Sequence, residues 1–157
     1  MKLVIGSDKS GFALKEAVRA WMDAEGIAYT DVGTKEVENF IPFFGVAPIA
    51  AEMVSKGEAD RAILFCGTGM GMSQVANKYK GVLAACVENL YSAKMCRIIN
   101  DSNVLCMGGF LIAPDLGIQM VKAFLNTEHT EGFPPERQAF LKNAKEQVMA
   151  LDEKLHS

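Results

Sequence analysis

A thiol stands where an apolar run ends. Arg61-Ala-Ile-Leu-Phe-Cys66 is followed by Gly67-Thr68-Gly69-Met70-Gly71-Met72-Ser73, with glycine at every second position before a helical pattern begins. Alternate glycines let successive backbone N–H groups turn into one space, and a helix start behind them adds the positive end of its dipole. Such a loop, Gly67 to Gly71, is a hole for an oxyanion. A thiol beside it favours its thiolate, which can serve as nucleophile or as base. Nucleophilic catalysis asks for a neighbouring histidine, yet the only histidines are His129 and His156, outside the part of the chain that carries the loop. The base reading fits better: Cys66 takes a proton from carbon next to a carbonyl, and the loop N–H groups hold the resulting enediolate oxygen.

The loop matches neither GxGxxG nor GxxxxGK[ST], so dinucleotide and Walker-type nucleotide binding have no support. Cys66, Cys86, Cys96 and Cys106 include no CxxC pair, which favours reduced thiols over disulfides or a zinc site. Cys86, Cys96 and Cys106 read as packing. No metal or cofactor is expected.

The elements that must position the loop come as an alternation. Lys2 to Gly6 is a short apolar run, and Phe12, Leu14, Ala17, Val18, Trp21 and Met22 follow at helical spacing up to Gly26. A strand over 27–32 and a helix over 46–54 come next. Then follow a strand ending at Cys66, a helix over 72–78, a strand over 82–87, a helix over 89–99, a strand over 104–107 and a helix over 114–125. Five βα units in succession predict an α/β doubly wound sheet, parallel and five-stranded, because right-handed crossovers lay helices on both faces. The uninterrupted apolar runs AILFC and VLAACV suit strands covered on both sides. In such sheets ligands sit beyond the carboxyl ends of the strands where the strand order reverses. For a flavodoxin-like order that point lies between the first and third strands, so Ser7-Asp8-Lys9 and Cys66-Gly67-Thr68 are expected to face one another. Asp8 is a substrate-binding candidate there, since a carboxylate at a switch point has few structural uses. Lys9 is a contact for an anion or a hydroxyl. After Pro134-Pro135 an extra C-terminal helix, 134–155, carries Leu141, Ala144, Val148, Leu151 and Leu155 three and four apart, a narrow stripe expected to pack on a partner subunit.

The chain has 157 residues, 50% hydrophobic and 22% charged, with 16 Lys+Arg against 19 Asp+Glu for a net charge of −3. That is one domain with ample core. No Lys/Arg cluster offers the phosphate-neutralising surface that nucleic acid requires. Apolar stretches stop well short of the roughly 20 residues of a membrane span, and the N-terminal run meets Asp8 and Lys9 too early for a signal peptide. A cytoplasmic location is expected.

Several ordered motifs carry a resemblance. Gly6-Ser7-Asp8 with Gly11 to Lys15, Asp31-Val32-Gly33-Thr34, Gly57-Glu58-Ala59-Asp60, Cys66 to Ser73 with Ala76-Asn77-Lys78, Tyr91-Ser92-Ala93 and Asn100 to Val104 resemble the ribose-5-phosphate isomerase B and galactose-6-phosphate isomerase family, collinearly over about the first 130 residues. The resemblance implies a flavodoxin-like fold, a dimer with sites built across its interface, and metal-free aldose–ketose isomerisation through an enediolate. It implies Cys66 as carbon base, Thr68 as hydroxyl partner, Gly67, Gly69 and Gly71 as the anion hole, and Asp8 as a sugar-binding carboxylate. Asn100 resembles an asparagine that reaches the site from the neighbouring subunit.

The departures from that pattern are specific. Ile99 stands where ribose-isomerising members carry a ring-opening histidine, Ile41-Pro42 where they have a tyrosine before proline, and Lys9 where they have histidine. Of two places where phosphate-binding arginines are expected, the first holds Phe110 and the second, in the C-terminal segment, Arg137. Lys9 and Arg137 remain as phosphate candidates. Galactose-6-phosphate isomerase is built from two unlike subunits, one of which resembles this chain in having lysine there, so a hetero-oligomer stays open beside a homodimer. Without ring-opening groups the expected substrate is an acyclic sugar phosphate, for which a tetrose or tetrulose 4-phosphate is the natural candidate. The competing readings are a non-catalytic sugar-phosphate-binding subunit and a flavin or nucleotide binder sharing the fold.

Overall fold

The computed structural model describes residues 1–157. Its order is β1 (Leu3–Ser7), α1 (Phe12–Ala24), β2 (Thr30–Asp31), a single 3-10 turn (Val37–Asn39), α2 (Phe43–Ser55), β3 (Arg61–Cys66), α3 (Met70–Ala76), β4 (Ala84–Cys86), α4 (Leu90–Asn100), β5 (Val104–Gly108), α5 (Pro114–Asn126) and α6 (Pro135–Leu155). All five strands are parallel, in the order β2-β1-β3-β5-β4. The expected α/β doubly wound sheet and the reversal between β1 and β3 are both present. The outer pair is exchanged relative to the 2-1-3-4-5 order of flavodoxin: β5 lies inside and β4 forms the edge.

Every residue of β1, β3 and β5 is buried, which is why their sequences are apolar at consecutive positions. One face of the sheet is covered by α1, α5 and α4, where Ile5, Ile63, Leu105, Met107 and Phe124 form the larger core. The other face is covered by α2 and α3 over Val4, Ala62, Leu64, Val104 and Cys106, with the alanines of α2 letting that helix lie close. Two expectations about strands need correcting. The 27–32 strand pairs only at Thr30 and Asp31: Ile27 and Tyr29 turn into the α1 side, and Val32 packs on the α2 side. The VLAACV run is no central strand: only Ala84–Cys86 pairs, at the edge, and none of the three is buried.

α6 leaves most of its apolar stripe uncovered by its own domain. Leu141 is buried, but Val148, Leu151 and Leu155 are exposed, so the stripe packs on its own domain only at its first position. Polar contacts hold the rest along the amino end of the sheet: Lys145 and Arg97 on Asp101, Gly81 N–H on Asp152 at 2.7 Å, and Lys80 with Glu153 at 2.7 Å. Although burial opposes its charge, Asp101 is held below the usual carboxylate range by Lys145 and Arg97. No helix is long and apolar enough to cross a membrane.

Candidate active site

β1 and β3 are neighbours in register, Ser7 opposite Phe65, and the Asp8 N–H donates to the Phe65 carbonyl at 3.1 Å. Asp8 and Lys9 therefore leave the sheet beside Cys66. α1 begins hard against the same point. A Cβ on Gly11 would lie 2.3 Å from the Phe65 carbonyl carbon and 2.7 Å from Cys66 N, so only glycine permits this approach. The Gly11 N–H donates to Asp8 Oδ1 at 2.9 Å, which fixes one carboxylate oxygen and leaves the other for a ligand.

The thiol sits 5% exposed at the end of β3, and Cys66 Sγ accepts the Gly69 N–H at 3.1 Å. Gly69 takes φ 80°, a left-handed conformation, to aim its N–H at the sulfur, and a Cβ there would meet the Cys106 carbonyl at 3.1 Å. The N–H groups of Gly67, Thr68, Gly71 and Met72 have no partner within the chain. Thr68 Oγ1 accepts the Met70 N–H at 3.3 Å, leaving its own proton to donate. α3 has only seven residues, so the donors of the loop itself, more than a long helix dipole, supply the positive field.

The surrounding side chains are aromatic. The Phe110 ring packs on Gly67, where a Cβ would come within 2.5 Å of it, and the Phe43 ring packs on Gly71, where the figure is 2.9 Å. The Lys9 ammonium lies 5.6 Å from the centre of the Phe40 ring. Ile41 hydrogen-bonds Thr34 through both its N–H (3.0 Å) and its carbonyl (3.3 Å), which ties down the segment that carries Phe40. Beneath it, fully buried Lys15 donates to Asp31 at 2.7 Å and to the Thr34 carbonyl at 2.5 Å. Burial works against the Asp31 charge, but hydrogen bonds from Lys15, the Gly33 N–H and Lys35 hold its carboxyl below the usual range.

Cys86 corrects the expectation that the other cysteines only fill core. Cys96 and Cys106 are buried, and burial pushes the Cys96 thiol up to about 11 and raises that of Cys106 as well. Cys86 is exposed at the end of β4, against Gly69, and its Sγ contacts the Thr68 carbonyl at 3.5 Å. Burial of the sulfur, and after it the neighbouring Cys66, push the Cys86 thiol up. Of the two thiols at the loop, Cys66 is the one that receives a backbone N–H.

The structure thus brings Asp8, Lys9, Cys66, Gly67, Thr68, Gly69 and Gly71 to one end of the sheet. Asn100 and Arg137 are not with them. Asn100 ends α4, immediately before the amino end of β5, and shares a groove of about 340 Å³ with Ile99, Ala84 and Val148. Arg137 lies in the first turn of α6, stacked between Phe133 and Phe140, after a connection whose Thr130 N–H donates to Ile98. Both are at the amino end of a sheet whose carboxyl end carries Cys66. None of the five concavities of the single chain includes Cys66 or its loop. Sequence reasoning missed Phe43 and Lys15, whose neighbours are far away in sequence and leave no local signal.

A parallel sheet with a thiol, a loop of unpaired N–H groups and a carboxylate at its switch point is an arrangement that suits aldose–ketose isomerisation. The match to a family model described as Ribose/Galactose Isomerase spans residues 3–140, and the chain belongs to that family. A 4-deoxy-4-sulfo-D-erythrose isomerase from Clostridium sp. (strain MSTE9) is 54% identical over 156 residues, 99% of this chain and 98% of that protein. A D-erythrulose-4-phosphate isomerase from Mycolicibacterium smegmatis is 41% identical over 82% of this chain and 86% of the relative. Among solved structures, Clostridium thermocellum ribose-5-phosphate isomerase B matches with a TM-score of 0.87 at 34% identity, covering 99% of both chains. The isomerase reading therefore stands over the non-catalytic and flavin-binding alternatives.

Proposed function

We propose that the chain interconverts an open-chain four-carbon aldose and its ketose, the sugar carrying a terminal anion at C4, a sulfonate or a phosphate. The observation that carries this is Ile99. A furanose must receive a proton on its ring oxygen to open, and an aliphatic side chain in the groove beside Asn100 has none to give. A sugar whose C4 bears sulfonate or phosphate has no C4 hydroxyl to close a furanose ring, so its carbonyl is free without help. Similarity to relatives named for sulfo-erythrose and erythrulose 4-phosphate supports the same chain length.

In the forward direction Cys66 thiolate takes the C2 proton of the aldose, giving a cis-enediolate. The N–H groups of Gly67, Thr68 and Gly71 hold its oxygen, with the Thr68 hydroxyl as a further donor. The protonated thiol then returns a proton to C1 while the O2 hydroxyl proton passes to O1 through the Thr68 hydroxyl, which leaves the ketose. Asp8 accepts from sugar hydroxyls through its second oxygen, and Lys9 meets the anionic tail. Asn100 and Arg137 come from a second copy, which also supplies the walls that a single chain lacks at Cys66. Four free cysteines, one of them the base, suit a reducing cytoplasm.

The test is Cys66→Ala in deuterated solvent. Loss of a general base costs about 10²- to 10⁴-fold, so deuterium incorporation at C2 falls by at least that factor while a four-carbon hydroxamate mimic of the enediolate still binds. Undiminished exchange would remove Cys66 from the mechanism. A panel of four- to six-carbon substrates sets chain length, and a higher kcat/KM on ribose 5-phosphate than on the four-carbon sugars would overturn the acyclic reading.

A further inference from the structure

Phe110 follows β5 through Gly108 and Gly109, and its N–H donates to the Gly67 carbonyl at 3.0 Å. The Cδ2–Cε2 side of its ring lies on Gly67, next to the base, yet the residue is 73% exposed. A large apolar ring held on the oxyanion loop and left otherwise bare has no core to stabilise. It borders the loop at Cys66 on the side left open to solvent, where a short substrate can meet it.

The charges available to that tail are few. Asp8 and Lys9 cancel within one chain, and Arg137 of a second copy adds a single positive charge. The Cys66 thiolate sets one negative charge against it, and a site with so little surplus positive charge suits a monoanion better than a dianion. A phosphate monoester carries about −1.5 to −2 near pH 7, its second ionisation falling near pH 6, whereas a sulfonate carries one charge at every accessible pH. Pressing a dianion against a benzene ring strips water that Lys9 and one arginine replace only in part, whereas a monoanion loses less and meets the positive ring edge. Length points the same way. A 4-sulfo sugar joins sulfur directly to C4, one atom shorter than the C–O–P link of a phosphate, and the Phe110 ring takes up that space over Gly67.

We propose that Phe110, packed on Gly67, sets the terminal anion of the substrate, admitting a C4 sulfonate in preference to a C4 phosphate. This rests on the four-carbon reading above. The test is kcat/KM on 4-deoxy-4-sulfo-erythrose and on erythrose 4-phosphate from pH 5.5 to 8, for the unaltered protein, Phe110→Leu and Phe110→Arg. Titrations shared by both reactions cancel in the ratio. The unaltered protein prefers the sulfonate by about tenfold or more at pH 8, and the preference narrows below about pH 6, where phosphate becomes a monoanion. Phe110→Leu keeps most of the pH dependence of the ratio, whereas Phe110→Arg shifts the ratio toward phosphate by about tenfold or more at pH 8. A phosphate preference in the unaltered protein at pH 8, or a ratio unmoved by Phe110→Arg, would overturn the inference and leave the four-carbon reading standing. No turnover of either four-carbon sugar would overturn both.

Discussion

Gly11→Ala tests whether the close approach of α1 to β3 is what sets the site. The new methyl carbon would lie 2.3 Å from the Phe65 carbonyl carbon, 2.4 Å from its oxygen and 2.7 Å from Cys66 N, all backbone atoms that no rotamer can move aside. Restoring ordinary contact requires α1 and the end of β3 to separate by about 1 Å. Overpacking of this kind costs about 1–3 kcal/mol. For a domain of this size that is a fall in Tm of about 3–10 °C. The effect on catalysis is larger in proportion. The same displacement pulls the Gly11 N–H from Asp8 Oδ1 and tilts Cys66 against its loop, and a misplacement of about 1 Å costs about 10²-fold in rate. Calorimetry and kcat/KM on the preferred four-carbon sugar read both quantities. Gly26→Ala is the control, because Gly26 has φ 67° but no atom within 4 Å of an added Cβ. It costs about 1–2 kcal/mol of backbone strain and leaves kcat/KM unchanged. If Gly11→Ala melted and turned over like the unaltered protein, the packing of α1 on β3 would not be what positions Asp8 and Cys66.

Three further outcomes follow from the same geometry. Lys15→Met leaves buried Asp31 with only the exposed Lys35 as its cation and lowers stability by about 1–3 kcal/mol, read as a fall in the urea midpoint with the slope unchanged. Asp31 and Asp101 both have depressed folded-state values, so their stabilisation is complete above about pH 4, the unfolded carboxylate range, and is lost as pH falls through the lower folded values. Urea unfolding between pH 7 and pH 2.5 shows that loss, and Asp101→Asn flattens part of the acid limb. Mixing inactive Cys66→Ala with inactive Asn100→Ala restores about a quarter of full activity on subunit exchange, because half the dimers are mixed and each has one undamaged site. No recovery, with exchange verified by native mass spectrometry, would place Asn100 outside a shared site.

The features legible in the sequence were those that local pattern encodes. Consecutive apolar residues in Leu3–Ser7 and Arg61–Cys66 marked strands buried on both faces, and strict alternation with helices made the sheet parallel. Those two facts put Asp8 and Lys9 beside the Cys66 loop before any coordinate was known. Departures at Ile99 and Phe110 were legible too, since a residue that cannot move a proton or carry a charge declares this by its type. Tertiary structure alone decided the rest. The inner place of β5 and the edge place of β4 depend on which strands pair across the sheet, and the apolar residues of 82–87 suit a centre or an edge facing a groove equally well. Lys15 reads as an ordinary helix cation until Asp31 and the Thr34 carbonyl, 16 and 19 residues away, provide partners that permit an ammonium to be buried. Cys86 reads as core until the loop returns to it at Gly69. The separation of Asn100 from Cys66 follows from the direction of α4, which must run antiparallel to the strands to connect them, and that of Arg137 from α5, which returns the chain to the same end before α6. A side chain's type is local information, whereas its partner is fixed only when remote segments meet, and the site depends on both.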